Sequence, residues 1–167
     1  QGALTSIVEA IQSNRNATVY LGGNISVQTN GREKKQTAPT QLASSSDERL
    51  KDYLLRKRLK INHGSIVADR DLLLRRPYAE NLKTREDIPV FAFLVCYGEI
   101  VTTPTPWVKI HKHRDSLRHT PTPSEQKSTM LVEEVFSALP DSCQYLRSQY
   151  AAQRCASLFR SQAEIGN

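Results

Sequence analysis

The run IPVFAFLVCYGEIVTT, residues 88–103, constrains the fold more than any other part of the chain. It is the most hydrophobic stretch and is rich in aromatic and β-branched side chains. It is also too short to cross a membrane, which takes about 20 apolar residues. It must therefore sit inside a core built around it. Its composition predicts a central buried strand, or two strands with a turn at Gly98. The remaining sequence is leaner, since only 38% of all residues are hydrophobic and the mean hydropathy is −0.50. With 167 residues, that balance predicts a single domain over 1–167, with a modest core and exposed connections.

Upstream, ALTSIVEAIQS (3–13) sets Leu4, Ile7, Val8 and Ile11 at helical spacing. ATVYLGGNISVQT holds two β-prone runs, 17–21 and 25–29, around Gly22-Gly23-Asn24, whose tolerance of positive φ predicts a hairpin. NGREKKQTAPTQLASSS, near 30–46, reads as a flexible polar segment broken by Gly31 and Pro39. Ser46 or Asp47 is placed to cap a helix over ERLKDYLLRKRLK. Leu50, Tyr53 and Leu54 form its apolar stripe, with Arg49, Arg56 and Lys60 on another side. SIVADRDLLLRR predicts a second helix stopped before Pro77, or a strand over 65–68 and a turn at Asp69.

The C-terminal part predicts a helical hairpin around Pro140-Asp141. Leu131, Val132, Val135, Phe136 and Leu139 face inward from one arm; Leu146, Tyr150, Ala151, Cys155, Leu158 and Phe159 do so from the other. The class is therefore α+β: a small sheet, made of the N-terminal hairpin and the central hydrophobic strand, packed with the C-terminal helical hairpin. Thr-Pro-Thr-Pro occurs twice, at 103–106 and 120–123. Proline lacks an amide donor and fixes φ, so both copies are expected to avoid helices and central strands and to bound an exposed loop near 103–123.

Several chemistries lack their motif. There is no G-x-S-x-G, no G-x-G-x-x-G and no P-loop, and no cofactor is expected. The three cysteines, Cys96, Cys143 and Cys155, are odd in number and without C-x-x-C spacing. That favours free thiols and an intracellular setting, cytoplasmic or nuclear. No signal-peptide pattern opens the sequence.

HGSIVADRDLLLRR resembles part of the RNA adenosine deaminase pattern, H-A-E followed by aliphatics and arginines, through His63, Ile66, Val67, Arg70, Leu72 and Leu73. Ser65 stands where that chemistry needs its glutamate, and no P-C-x-x-C follows to complete a zinc shell, so no deaminase activity is inferred. Asp69 and Asp71 are hard ligands suited to Mg²⁺, but the adjacent arginines account for them as local ion pairs. His111, His113 and His119 are weak zinc candidates, set among Lys109, Lys112, Arg114 and Arg118, which repel a cation.

Charge placement is the strongest functional signal. The formal net charge is +6. Between Arg49 and Arg85 stand eleven Lys or Arg against four Asp or Glu, and between Lys109 and Arg118 four against one, while the chain from Ser124 onward is near neutral. A polyanion-binding face on a folded support has that footprint. The expected function is a non-enzymatic nucleic-acid-binding protein, RNA favoured because no DNA-reading motif is present. Its contacts would be Arg49, Arg56, Lys57, Arg58, Lys60, Arg75, Arg76, Lys109, Lys112, Arg114 and Arg118, with Trp107 and Tyr53 placed to stack on bases. One alternative is a self-assembling scaffold, such as a viral matrix- or capsid-like subunit, that uses the same surface against a genome or an anionic membrane and forms homo-oligomers. The other is a metal-dependent enzyme.

Overall fold

The computed structural model describes residues 2–82, 84–113 and 125–165. Its centre is one strand, β1 (Val19–Val27), which every other strand pairs. β4 (Ile100–His111) runs parallel to it from Val19↔Ile100 to Val27↔His111. The opposite side of β1 is shared by two short antiparallel strands. β3 (Ile66–Ala68) takes Val19 to Leu21, and β2 (Glu33–Gln36) takes Asn24 to Val27. The α+β class expected from the sequence is the class observed.

β1 is continuous through Gly22-Gly23, where the sequence predicts a turn. These glycines serve close approach instead. A Cβ on Gly22 would lie 2.2 Å from Trp107 Cδ2, and one on Gly23 would lie 2.7 Å from the Gln36 carbonyl oxygen. The pairing with β4 shifts register at the same place, as a bulge does. The hairpin turn lies further on, at Asn30-Gly31. Gly31 has φ 80°, the Gln28 amide donates to the Arg32 carbonyl at 2.8 Å, and Asn30 Oδ1 accepts from the Arg32 amide at 3.0 Å. Of Asn30 and Gly31, Gly31 alone takes the positive φ that glycine adopts without a Cβ penalty. The segment near 30–46, expected to be a flexible connection, thus contributes β2 to the sheet.

The apolar run also corrects its expectation. Residues Asp87–Tyr97 form a helix, α4, not a strand. Pro89 lies in its first turn, where its missing amide has no intrahelical partner to lose, and Gly98 follows its end. Every residue from Pro89 to Cys96 is buried, so the helix is enclosed on all sides, as a helix apolar all round must be. Ala92 and Cys96 enter one core with Leu50 and Leu54. Phe91, Phe93, Leu94 and Val95 enter another with Val19 and Leu21 of β1, Leu59 and Leu72. Gly98, expected to turn between two strands, instead ends the helix in extended backbone, and Ile100–Thr103 then begin β4.

Alternation along β1 sends Val19 and Leu21 toward α4 and Tyr20 to the other face. There Tyr20 meets Ala10 of α1 (Ala3–Ser13) and Trp107 of β4. α1 has the extent expected, but its stripe does not all face inward: Ile7 packs while Leu4 is 78% and Val8 49% exposed. β4 holds the first Thr-Pro-Thr-Pro. Among the described residues it pairs only with β1, so it is an edge strand, where proline is tolerated. The expected exposed loop near 103–123 therefore begins as strand as far as His111; the second Thr-Pro copy lies outside the described residues.

α2 (Ser46–Leu54) ends earlier than expected, and Lys57 takes φ 58° soon after it. A 3₁₀ turn at His63–Ser65 leads into β3, and Asp69 caps the short α3 (Arg70–Leu74), as in the strand-and-turn expectation. In the C-terminal part, α5 (Glu125–Phe136), α6 (Asp141–Gln144) and α7 (Leu146–Ile165) follow in turn. Leu131, Val132, Val135, Phe136, Leu139, Leu146 and Tyr150 are buried as anticipated; Cys155 and Phe159 are exposed. The core these helices share with α2 and α4 contains no strand residue.

Cys96 and Cys143 meet in that core with their Sγ atoms 3.8 Å apart. Burial pushes the Cys96 thiol far above its usual range, and Cys143 beside it adds to the effect. Thiolate is the reactive form. Iodoacetamide at neutral pH is therefore expected to modify Cys155 in the native protein and to reach the other two only on unfolding. Mass spectrometry of the modified peptides checks this, and modification of Cys96 at the rate of Cys155 would contradict the packing.

Candidate nucleic-acid interface

The structure separates the basic residues by what they already hold. Arg49 reaches inward: its Nε donates to the Val95 carbonyl at 3.0 Å and its Nη1 to the Ser44 carbonyl at 2.9 Å. It thereby satisfies a carbonyl in the last turn of α4, a role suited to arginine. Arg56 pairs with Glu48 at 2.7 Å and Asp52 at 3.0 Å. Arg76 joins α3 to α5 through Glu134 at 2.9 Å. Hydrogen bonds from Asn81 and Arg76 hold the Glu134 carboxyl below its ordinary range. Arg75 lies over the rings of Phe93 and Tyr97, 5.5 and 5.4 Å from their centroids. Arg49, Arg75 and Arg76 fasten separate segments together, Arg56 pairs back onto α2, and each of the four has part of its charge already answered.

Trp107 is buried against Gly22, and its Nε1 donates to Ser6 Oγ at 3.4 Å. It is not available for stacking on a base. Tyr53 packs against both main cores and is no exposed platform either.

Lys57, Arg58, Lys60 and Lys112 are exposed and in no ion pair among the described residues. Lys109 pairs with Glu33 at 2.6 Å, with both side chains about half exposed. Arg114, Arg118 and His119 lie outside the described residues. The strand registers add two cations that linear charge counting missed. Ile25 of β1 pairs with Lys35 on one side and with Lys109 on the other. Residues directly opposite across strands point to one face, so Lys35 and Lys109 share a face although they are far apart in sequence. Lys34, on the opposite face of β2, is likewise exposed and without an ion pair among the described residues. Gln36, which ends β2, lines one cleft together with Lys57 and Lys60. β2 therefore links the 57–60 segment to the 109–112 segment. The only sequence signal for this was Lys34-Lys35 following Asn30-Gly31, which a hairpin reading at that site would have placed on a strand.

The metal and deaminase candidates take structural positions. The Asp69 carboxylate accepts from the amides of Asp71 and Leu72 at 2.9 and 3.1 Å. The His63 ring stacks on Tyr78 and meets Phe91 edge-on, at 5.9 and 5.3 Å. His111 ends β4 opposite Val27, with His113 exposed just beyond. Among the described residues no three His, Cys, Asp or Glu side chains come together in a metal-holding group, and no helix is long and apolar enough to cross a membrane.

The sequence matches no protein-family model, no curated protein and no solved structure.

Proposed function

We propose that the chain is a non-enzymatic polyanion-binding protein, with RNA as the favoured partner, and that its contact surface is the basic strip along β2 and the end of β4. Lys35 and Lys109 form its centre, and Lys112, Arg58 and Lys60 extend it. The observation that carries this reading is the shared register of Lys35 and Lys109 on either side of Ile25. Two chain segments thereby present ammonium groups on a supported, extended surface, which is what neutralising successive phosphates requires. Arg49, Arg56, Arg75 and Arg76 contribute less, because their internal partners compete with a phosphate for them.

Lys35, Lys109 and Lys112 changed together to Ser are expected to weaken binding of a single-stranded RNA and to flatten its salt dependence by about 0.7 per lost phosphate contact, roughly 2 in all. Arg56 and Arg76 changed to Ser are expected to lower stability more than affinity. Titrations over a salt series, with thermal unfolding of each variant, separate the two. Unchanged affinity and slope in the lysine variant would remove the strip from the interface.

The self-assembly reading draws on a different observation, the exposure of Leu4, Val8 and Ile11 along one side of α1. Oligomers that grow with concentration in the absence of RNA, together with an unaffected lysine variant, would put it first.

A further inference from the structure

A cleft of about 260 Å³ opens beyond the end of α2, in contact with the start of α4 and with α7. Leu54, Leu59 and Ile88 form an apolar wall, and Tyr53, Tyr150 and Lys57 bring polar tips to it. Every one of these tips is a hydrogen-bond donor. Among the described residues, neither tyrosine hydroxyl nor the Lys57 ammonium has a hydrogen-bond partner.

The backbone is held in an unfavourable shape at the same spot. Among the described residues only two other than glycine have positive φ, Lys57 at 58° and Arg85 at 64°. Side chains with a Cβ rarely adopt that region, and strain of this kind concentrates at functional sites. The two strained residues are both cations, and they lie close enough to act on each other. Desolvation lowers the Lys57 pKa, and the neighbouring Arg85 lowers it further. Burial holds the Tyr53 phenol well above its ordinary value and pushes Tyr150 up to about 12. Asp87, at the start of α4, is near both phenols and adds to both shifts, but forms no ion pair with either cation among the described residues. The site thus gathers positive charge and donors over an apolar wall, with Lys60, Gln36 and Asn62 also on its lining.

We propose that this cleft binds a small amphiphilic anion, a carboxylate on an aliphatic body, with the carboxylate on Lys57 within reach of the tyrosine hydroxyls and the body against Leu54, Leu59 and Ile88. The anion supplies a partner to the Lys57 ammonium and the two tyrosine hydroxyls, which have none among the described residues. It also stabilises the charged form of Lys57, which partial desolvation at the cleft and the neighbouring Arg85 disfavour. The volume is near the lower end of the small-molecule range of about 300–1,000 Å³, so the ligand is a short chain and not a folded polymer. The proposal does not rest on the polyanion reading, because both the ligand and the residues tested differ.

Calorimetric titration of the full chain with octanoate, 1-octanol, acetate and inorganic phosphate tests it. Octanoate is expected to bind about ten- to a hundredfold more tightly than each of the other three, the scale of a charge-assisted hydrogen bond joined to apolar burial. Lys57→Met is expected to lose about tenfold or more of the octanoate affinity, while Lys57→Arg, which keeps the charge, retains it to within about threefold. Octanol binding as tightly as octanoate would reduce the site to an apolar gap. Acetate or phosphate binding as tightly would reduce it to a bare anion site. Wild-type affinity in Lys57→Met, or no heat from octanoate, would overturn the assignment. Should Lys57→Met fail to fold, the four ligands on the wild type and Lys57→Arg still decide it.

Discussion

Replacing Phe91 by Ala is expected to remove about 3–5 kcal/mol of stability, a large share of the roughly 5–15 kcal/mol that holds a typical domain folded. Phe91 is 2% exposed and lies on the side of α4 that faces β1. It is one of the largest side chains in the core it shares with Val19, Leu21, Leu59 and Leu72, and its ring meets the edge of His63 at 5.3 Å. Truncation would lose the transfer energy of the ring and leave a void that neighbours on a strand and two helices cannot all close. The aromatic contact with His63 would go as well, releasing the stack with Tyr78. Urea unfolding is expected to show a lower midpoint with an unchanged slope. Tyr97→Ala, at a site 40% exposed on the same helix, is the control and should cost far less. A Phe91→Ala loss below about 1 kcal/mol would place the ring outside the core.

The second large effect concerns Gly22. A Cβ there would sit 2.2, 2.5 and 2.6 Å from three atoms of the Trp107 indole. Trp107 has little room to withdraw, since it is buried with Tyr20 and Ala10 between the sheet and α1. Gly22→Ala should therefore cost about 1–3 kcal/mol through overpacking, although alanine is otherwise a mild change in a strand. A smaller side chain at 107 should recover part of that loss. In a cycle of Gly22→Ala, Trp107→Leu and the double variant, a coupling of about 0.5–3 kcal/mol is expected, with the double less damaged than the sum. Strict additivity would mean that the indole does not cover Gly22.

These two sites also show what the sequence made legible and what it hid. The extent of α1 and the inward residues of α5 followed from local periodicity, because each of those helices has a wet side and a dry side; α2 begins at Ser46, ahead of the cap expected at Ser46 or Asp47. α4 has no wet side. With Ala92 and Cys96 in one core and Phe91 and Leu94 in another, no period survives, and β-branched and aromatic content then points to a strand. Pro89 near its start and Gly98 after its end carried the correct signal. Gly22-Gly23 misled for a related reason: a turn and a close approach ask for the same residue. Only the pairing of β1 with Trp107 and Gln36, set by distant segments, tells them apart.

The candidate interface was legible as charge and not as geometry. Counting cations from Arg49 to Arg85 found the basic region. It did not show that Arg76 is held by Glu134 or that Arg49 caps α4 at the Val95 carbonyl, since those partners lie far along the chain. For the same reason it missed that Lys35 and Lys109 flank Ile25 on one face of the sheet, which is a matter of strand register.

The parallel pairing of β1 with β4 also sets an order of events during synthesis. Val19 waits for Ile100, and Val27 for His111. At ~5–20 residues per second, roughly 4–16 s pass between the emergence of the two strands. Throughout that interval the nascent chain carries a finished central strand with one whole side unpaired, a template for a neighbouring chain on the same messenger. β2 arrives first, folded back through Asn30-Gly31 against the far half of the other side. Its Lys34 and Lys35 give the growing sheet a charged border, which repels another copy docking strand to strand. The lysines of β2 charge only that border, so the other side of β1 stays an open template until β4 emerges to cover it.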